Sequence, residues 1–147
     1  MQHLKEILAL IPHRPPFLWV DRIISSAENW IITEKHIDLD MDILRGHYPG
    51  NPIMPGVILC EAIFQSAALL MAKRNPIIIQ KESLIPVLTR IGGVKFKKAV
   101  FPGDTVQIKV ILTETIANAC CFKGTLKVVE KVAVVVDFVC AMVKSPP

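Results

Sequence analysis

The sequence predicts an α+β fold in which a curved antiparallel sheet wraps around one long central helix. The first indication is residues 57–72, a run that is rich in Ala, Leu and Met and apolar on nearly all faces. Its length favours a helix over a strand, and such a helix needs cover on every side. The second indication is the chain after residue 87, where apolar and polar residues alternate as in strands. A sheet of about five to seven strands would provide that cover.

The composition indicates one domain with a large apolar surface to bury. The chain has 147 residues, of which 52% are hydrophobic, so residues 1–147 are expected to form a single domain. The high apolar fraction has two explanations, a fold with an unusually buried helix or an oligomer that buries apolar surface between its subunits. The net charge of +4 suits an acidic partner protein, but it is too small to predict binding to nucleic acid.

The N-terminus and the cysteines indicate a soluble cytoplasmic protein. Residues 1–6 do not begin a signal peptide. Residues 57–72 are shorter than the roughly 20 residues that a membrane span needs, and Glu61 and Gln65 interrupt them, so no span is expected. The cysteines lack a Cys-x-x-Cys spacing and are predicted to be reduced core residues. They are Cys60, Cys120, Cys121 and Cys140.

The part of the chain before the long helix predicts a short helix followed by two strands. The helix is amphipathic and Pro12 ends it, while the strands are rich in β-branched and aromatic residues. The expected elements are a helix over residues 2–10, a turn fixed by His13 and Arg14, strands over residues 17–24 and 30–37, and an acidic loop over residues 38–42.

The part of the chain after the long helix is predicted to be mostly sheet. Residues 77–86 are ambiguous between a strand and a loop, and Gly92-Gly93 predicts a bend or bulge. Turns are expected over residues 101–104 and near residues 130–131. The expected strands cover residues 87–100, 105–116, 119–129 and 132–143.

The segment that leads into the long helix is dense in proline and glycine. Residues 46–56 have the sequence GHYPGNPIMPG, which predicts a fixed, irregular loop. Pro55 and Gly56 stand where the helix would begin, and proline is tolerated in a first helical turn. His47 lies on this loop, so a candidate base precedes a helix N-terminus with free N–H donors.

Glu61 is the only charged residue in the apolar run. A buried carboxylate costs several kcal/mol unless it is paired or protonated. Gln65 lies one turn further along the helix and can hydrogen-bond it. A candidate acid at Glu61, a candidate base at His47 and the N–H donors of the helix N-terminus together suit proton transfer next to a carbonyl group.

Three stretches of the chain resemble the FabZ-type beta-hydroxyacyl-[acyl-carrier-protein] dehydratases. Residues 47–65 have the sequence HYPGNPIMPGVILCEAIFQ, and the family's active-site pattern is HFPGxPxxPGVxxxEAxxQ. Residues 11–22, IPHRPPFLWVDR, match the family's LPHRxPFLxVDR, and residues 94–104, VKFKKAVFPGD, match its ARFxxPVxPGD. The matches fall in order across most of the chain.

This resemblance implies the hot-dog fold and the dehydration of beta-hydroxyacyl-[acyl-carrier-protein] to trans-2-enoyl-[acyl-carrier-protein] in fatty-acid biosynthesis. It implies that His47 is the general base, that Glu61 is the acid, and that no metal or organic cofactor is needed. The backbone N–H groups of Gly56 and Val57 would polarise the thioester carbonyl, and Gln65 would hold the Glu61 carboxylate. Family members are homodimers in which the histidine of one subunit meets the glutamate of the other, often grouped as trimers of dimers.

Other functions on the same fold stay open. The motif also suits a dehydratase of a specialised lipid or polyene pathway. A hot-dog thioesterase would use a carboxylate to activate water, and a non-catalytic acyl-binding subunit would need neither His47 nor Glu61, so the presence of both argues against these two. Arg45, Lys95, Lys97 and Lys98 are candidates for a basic rim that meets the acidic carrier protein.

Overall fold

The computed structural model describes residues 1–146, which form a six-stranded antiparallel sheet around one long helix. The strands lie in the order β1-β2-β4-β5-β6-β3. The elements are α1 (Gln2–Leu10), β1 (Arg22–Ser26), β2 (Trp30–His36), α2 (Asp42–Gly46), α3 (Gly56–Arg74), α4 (Pro76–Glu82), β3 (Leu84–Phe96), β4 (Thr105–Ile116), β5 (Ala119–Val128) and β6 (Lys131–Lys144).

Helix α3 is the predicted central helix, and its burial shows why its sequence is apolar all round. Over residues 59–72, every residue except Glu61 is buried. Ile63, Leu69 and Leu70 are fully buried and belong to the core that α3 shares with the inner face of the sheet. By length and composition α3 could cross a membrane, but two thirds of its most apolar window is covered by the rest of the chain. It is therefore the core helix of this fold.

Several local predictions are confirmed. The first helix and the strand over residues 105–116 have the predicted bounds. The pairing of β3 with β6 shifts register between Ile91 and Val94, which confirms a bulge at Gly92-Gly93. The turn near residues 130–131 is also present, and there Val129 and Glu130 adopt positive φ angles.

The strand predicted over residues 17–24 is wrong over its first five residues, because β1 begins only at Arg22. In that segment the Trp19 backbone N–H donates to Gln65 Oε1 at 2.8 Å, and Gln65 Nε2 donates to the Phe17 carbonyl at 3.0 Å. A side chain of α3 thus satisfies backbone groups that would otherwise need a neighbouring strand.

The ambiguous segment over residues 77–86 contains a helix, which neither alternative included. Pro76 stands in the first turn of α4, where its missing N–H costs nothing. Ser83 ends the helix in the left-handed region, with φ of 50°, and its N–H donates to the Ile79 carbonyl. Strand β3 follows at once, so it begins and ends earlier than the predicted residues 87–100.

Strand β3 leaves an apolar edge of the sheet uncovered. Within residues 1–146 it pairs only with β6, and it is the last strand in the sheet order. Its exposed large apolar residues are Val87, Leu88, Ile91 and Phe96. An edge strand with exposed apolar side chains and unpaired backbone groups is a surface on which another chain can pair.

The cysteines divide into two pairs by burial. Cys60 and Cys140 are buried as predicted, whereas Cys120 and Cys121 are only partly buried. Burial first, and then the neighbouring Cys120 and Glu61, raise the pKa of the Cys140 thiol to about 12. Cys140 is therefore a protonated, unreactive core residue near pH 7.

Candidate active site

The loop that carries His47 is anchored at both ends. Asp42 begins α2, so the predicted acidic loop ends there, and the buried Leu44 fixes this short helix to the core. At the other end, the Met54 backbone N–H donates to the Val100 carbonyl at 2.8 Å. Between these anchors, His47 follows α2 directly as its C-cap residue.

A hydrogen bond to the backbone defines the proton position on His47. His47 Nδ1 lies 2.6 Å from the Ile53 carbonyl oxygen. A carbonyl oxygen only accepts, so Nδ1 carries the proton and donates it. In the neutral ring, Nε2 then holds a free lone pair, which is the form that a general base needs.

The N-terminus of α3 offers two unused N–H donors. Pro55 is the N-cap residue and makes no side-chain cap, and its carbonyl accepts from the N–H groups of Ile58 and Leu59 at 3.0 and 3.2 Å. The N–H groups of Gly56 and Val57 have no acceptor within residues 1–146. They lie at the positive end of the helix dipole, which favours a developing negative charge.

Phe96 covers Gly56 closely. A Cβ atom at position 56 would lie 2.7 Å from Phe96 Cε1, so only glycine allows the ring to approach the backbone there. Val57 is 73% exposed, so this residue faces outward from the single chain.

Glu61 is held by Gln65, as the sequence predicts. Gln65 Nε2 donates to Glu61 Oε1 at 3.0 Å. Gln65 is only 1% exposed, and it also bonds the backbone of Phe17 and Trp19. The Glu61 side chain keeps 23% of its surface exposed, so it is partly and not fully buried.

His13 also lies against Glu61, and sequence reasoning missed this contact. His13 Nε2 is 3.8 Å from Glu61 Oε1. Burial lowers the pKa of His13 below its usual value; Glu61 opposes this shift and Arg14 adds to it. Arg14 does fix the turn as predicted, because its guanidinium donates to the carbonyls of Ile11 and Leu8. The sequence feature that could have pointed to His13 is its position, next to Arg14, in the stretch over residues 11–22 that resembles the family.

A single chain does not bring the predicted acid and base together. Within residues 1–146, the histidine found within 4.0 Å of the Glu61 carboxylate is His13, and His47 makes no such contact. The chain thus presents two half-sites: His47 beside the N-terminus of α3, and Glu61 with Gln65 and His13.

Replacing Gln65 by leucine is expected to lower the free energy of unfolding by about 1–3 kcal/mol, the cost of leaving a buried polar group unsatisfied. The variant leaves the buried Trp19 N–H without its acceptor and frees Glu61. Urea unfolding measures the change. Gln80→Leu makes the same substitution at an exposed position of α4 and should change stability little; equal effects of the two variants would contradict this account.

Comparison with known proteins gives consistent matches over nearly the whole chain. The model of the FabA-like domain family matches residues 11–137. The 3-hydroxyacyl-[acyl-carrier-protein] dehydratase FabZ of Caulobacter vibrioides is 35% identical over 147 residues, 97% of this chain and 89% of the relative. The FabZ of Xylella fastidiosa is 34% identical over 142 residues, covering 95% of this chain and 88% of that protein.

Solved structures share the fold at low identity. The dehydratase heterocomplex ApeI:P from Xenorhabdus doucetiae superposes with a TM-score of 0.79 at 15% identity, covering 95% of this chain and 91% of that one. A hypothetical thioesterase with coenzyme A from Streptococcus pneumoniae gives a TM-score of 0.65 at 12% identity, covering 99% and 98%. The expected hot-dog fold, with an antiparallel sheet around a central helix, is thereby confirmed.

Proposed function

Because the chain belongs to the FabZ-type 3-hydroxyacyl-[acyl-carrier-protein] dehydratases, a family of hydro-lyases, we propose that it removes water from a 3-hydroxyacyl thioester on acyl carrier protein. The product is the trans-2-enoyl thioester of fatty-acid biosynthesis, and we place the protein in the cytoplasm with that pathway. The observation that carries the proposal is the hydrogen bond from His47 Nδ1 to the Ile53 carbonyl, since it leaves Nε2 free to accept a proton.

The elimination divides into two proton movements. His47 Nε2 takes the proton from the carbon next to the thioester carbonyl. The charge that develops on the carbonyl oxygen is stabilised by the N–H groups of Gly56 and Val57 at the N-terminus of α3. The bond from the β-carbon to the hydroxyl oxygen then breaks, Glu61 gives its proton to that oxygen, and water leaves.

We infer that the working unit is a homodimer in which His47 of one subunit meets Glu61 of the other. Three observations support this. His47 and Glu61 make no contact within the described chain, β3 presents an apolar edge to solvent, and the exposed Val57 adjoins the free N–H groups. Association through such surfaces would bury them and complete the site. The assembly of three such dimers into a trimer of dimers stays a prediction, and the molecular mass of the protein in solution tests it.

An assay of the wild-type protein tests the proposed activity directly. It should convert a 3-hydroxyacyl thioester on acyl carrier protein to the 2-enoyl thioester, measured by mass spectrometry of the carrier-bound product. Release of free acid would instead show thioester hydrolysis. A folded protein that binds the acyl group and leaves it unchanged would be a non-catalytic subunit. Either of these results would overturn the proposal.

We propose that the basic residues of β3 and its following loop receive the carrier protein. Lys95, Lys97 and Lys98 are exposed and flank Phe96, which packs on Gly56. The basic run therefore adjoins the free N–H donors, and acyl carrier protein is acidic. Positive charge at this point would steer the carrier and bring its acyl thioester to the helix N-terminus.

Reversing this charge is expected to weaken carrier docking without changing the chemistry. The double variant Lys97→Glu, Lys98→Glu should raise KM for the carrier-linked substrate by about tenfold at low salt, because opposite charges attract across an interface. The KM for the same acyl group on pantetheine should stay unchanged. The double variant Lys109→Glu, Lys123→Glu makes the same change of charge at exposed positions of β4 and β5 and serves as the control; an equal rise in KM there would refute a local docking site.

A further inference from the structure

Two nitrogen atoms converge on one oxygen of the Glu61 carboxylate. Gln65 Nε2 donates to Oε1 at 3.0 Å, and His13 Nε2 lies 3.8 Å from the same atom. The two side chains reach Oε1 from different elements, Gln65 from the next turn of α3 and His13 from the loop after α1. Within residues 1–146, the other carboxylate oxygen, Oε2, makes neither a hydrogen bond nor an ion pair.

The surroundings of His13 determine which of its nitrogens carries the proton. Its Nδ1 atom is buried and has no hydrogen-bond partner within residues 1–146. A buried N–H without an acceptor is rarer than a buried acceptor without a donor. The proton therefore belongs on Nε2, the nitrogen that faces Glu61. The lowered pKa of His13 agrees with a neutral ring.

We propose that His13 is a positioning residue that, with Gln65, holds Oε1 of Glu61 and so assigns the proton transfer to Oε2. This inference rests on the proposed dehydratase function. Two N–H donors at Oε1 favour negative charge on that oxygen, so the neutral carboxyl group carries its proton on Oε2. The O–H bond at Oε2 breaks as the proton passes to the departing hydroxyl group. The carboxylate that remains is stabilised at Oε1 by the same two donors.

The distance between His13 and Glu61 fits this role. At 3.8 Å it is longer than a direct hydrogen bond. Catalytic contacts are often long without substrate and tighten when the reacting group is bound. In the proposed dimer the second subunit supplies the other half of the site, and this role requires that His13 Nε2 and Glu61 Oε1 reach hydrogen-bond distance when the substrate is bound there.

Two amide substitutions separate the nitrogen at Nε2 from the rest of the ring. His13→Gln can place an amide N–H near the position of imidazole Nε2, whereas His13→Asn reaches only the position of Nδ1. We expect His13→Gln to keep kcat within a few-fold of the wild type. We expect His13→Asn and His13→Leu to lower kcat by about 10- to 100-fold, the scale of a misplaced catalytic group, with KM unchanged.

A double variant tests whether His13 acts through Glu61. In the Glu61→Gln background, the change His13→Leu should cost no further activity, because the carboxyl group that it positions is already absent. Independent of turnover, the ¹⁵N NMR spectrum of the imidazole rings should show His13 protonated on Nε2 and His47 protonated on Nδ1.

The results that would overturn the role of His13 differ from the result that would overturn the proposed function. Wild-type kcat in all three His13 variants would overturn the inference, as would equal losses in the glutamine, asparagine and leucine variants, or losses that add to that of Glu61→Gln. A His13 ring protonated on Nδ1 would overturn it even if the protein had no measurable turnover. If the wild type formed no enoyl product, the proposed function would fail, whereas an active wild type with unaffected His13 variants contradicts only the role of His13.

Discussion

His47→Ala and Glu61→Gln are each expected to lower kcat for 3-hydroxyacyl dehydration by about 100- to 10,000-fold, the contribution of a positioned general base or acid. The alanine variant removes the Nε2 lone pair that the bond to the Ile53 carbonyl leaves free. The glutamine variant keeps the shape of Glu61 and its contact with Gln65 but has no proton of carboxylic acidity to give. Formation of the 2-enoyl thioester under saturating substrate measures both.

The controls separate lost chemistry from lost structure. Both variants should melt near the wild-type temperature, since His47 and Glu61 are only partly buried. His36→Ala removes an exposed histidine of β2, whose ring bonds Thr105 outside the site, and should retain full activity. A variant of His47 or Glu61 that keeps wild-type kcat would remove that residue from the mechanism.

Gly124→Val is expected to lower the free energy of unfolding by about 3 kcal/mol, at the upper end of the usual cost of overpacking a core. Gly124 belongs to β5 and faces α3, where a Cβ atom would overlap the Ile63 Cγ2 atom. Ile63 is fully buried in the core and cannot move aside without shifting α3. Because α3 carries Glu61, the same shift should also lower activity. Chemical unfolding and turnover measure the two effects.

The matched control for Gly124 is Gly93→Val. Gly93 lies in the bulge of β3 and does not adopt a positive φ angle, and a Cβ atom added there would meet no atom within 4 Å beyond its chain neighbours. Within one subunit the same side chain is therefore added in open space, so the free energy of unfolding of the subunit should change by less than about 0.5 kcal/mol. Unfolding at several protein concentrations separates this value from any effect on association through the β3 edge. Equal destabilisation by the two substitutions would mean that close packing of β5 on α3 does not explain the effect at Gly124.

The elements that could be predicted from sequence are those whose pattern is set by their own burial. Helix α3 is apolar on every face because the sheet and the N-terminal segment cover it. Strand β4 alternates because one of its faces lies on the core and the other is exposed. In both elements the periodicity follows directly from the surroundings.

The elements that were missed depend on contacts between distant parts of the chain or on local end signals. Phe17 and Trp19 have strand-like neighbours, but their backbone is bound by Gln65, 48 and 46 residues away in sequence. The isoleucines of α4 favour a strand by composition, whereas Pro76 and Ser83 set a helix start and stop around them. The intrinsic strand propensity of these residues therefore does not predict their structure correctly.

The candidate site was predicted in part for the same reason. His47, Gly56 and Glu61 follow from one continuous motif, so a sequence pattern finds them. His13 lies 48 residues before Glu61, and only the folded chain shows that its Nε2 atom faces the carboxylate. The absence of a contact between His47 and Glu61 within residues 1–146 does not follow from their spacing, and only the family resemblance predicts that the two meet across subunits.

Mixing two inactive variants tests the shared dehydratase site most directly. His47→Ala subunits keep Glu61, and Glu61→Gln subunits keep His47, so a mixed dimer contains one intact site and one site that lacks both groups. After the subunits are unfolded and refolded together, random pairing should restore about a quarter of the wild-type rate of 2-enoyl thioester formation, whereas each variant refolded alone stays inactive. A mixture that contains mixed dimers and forms no enoyl product would contradict a site built from His47 of one subunit and Glu61 of the other.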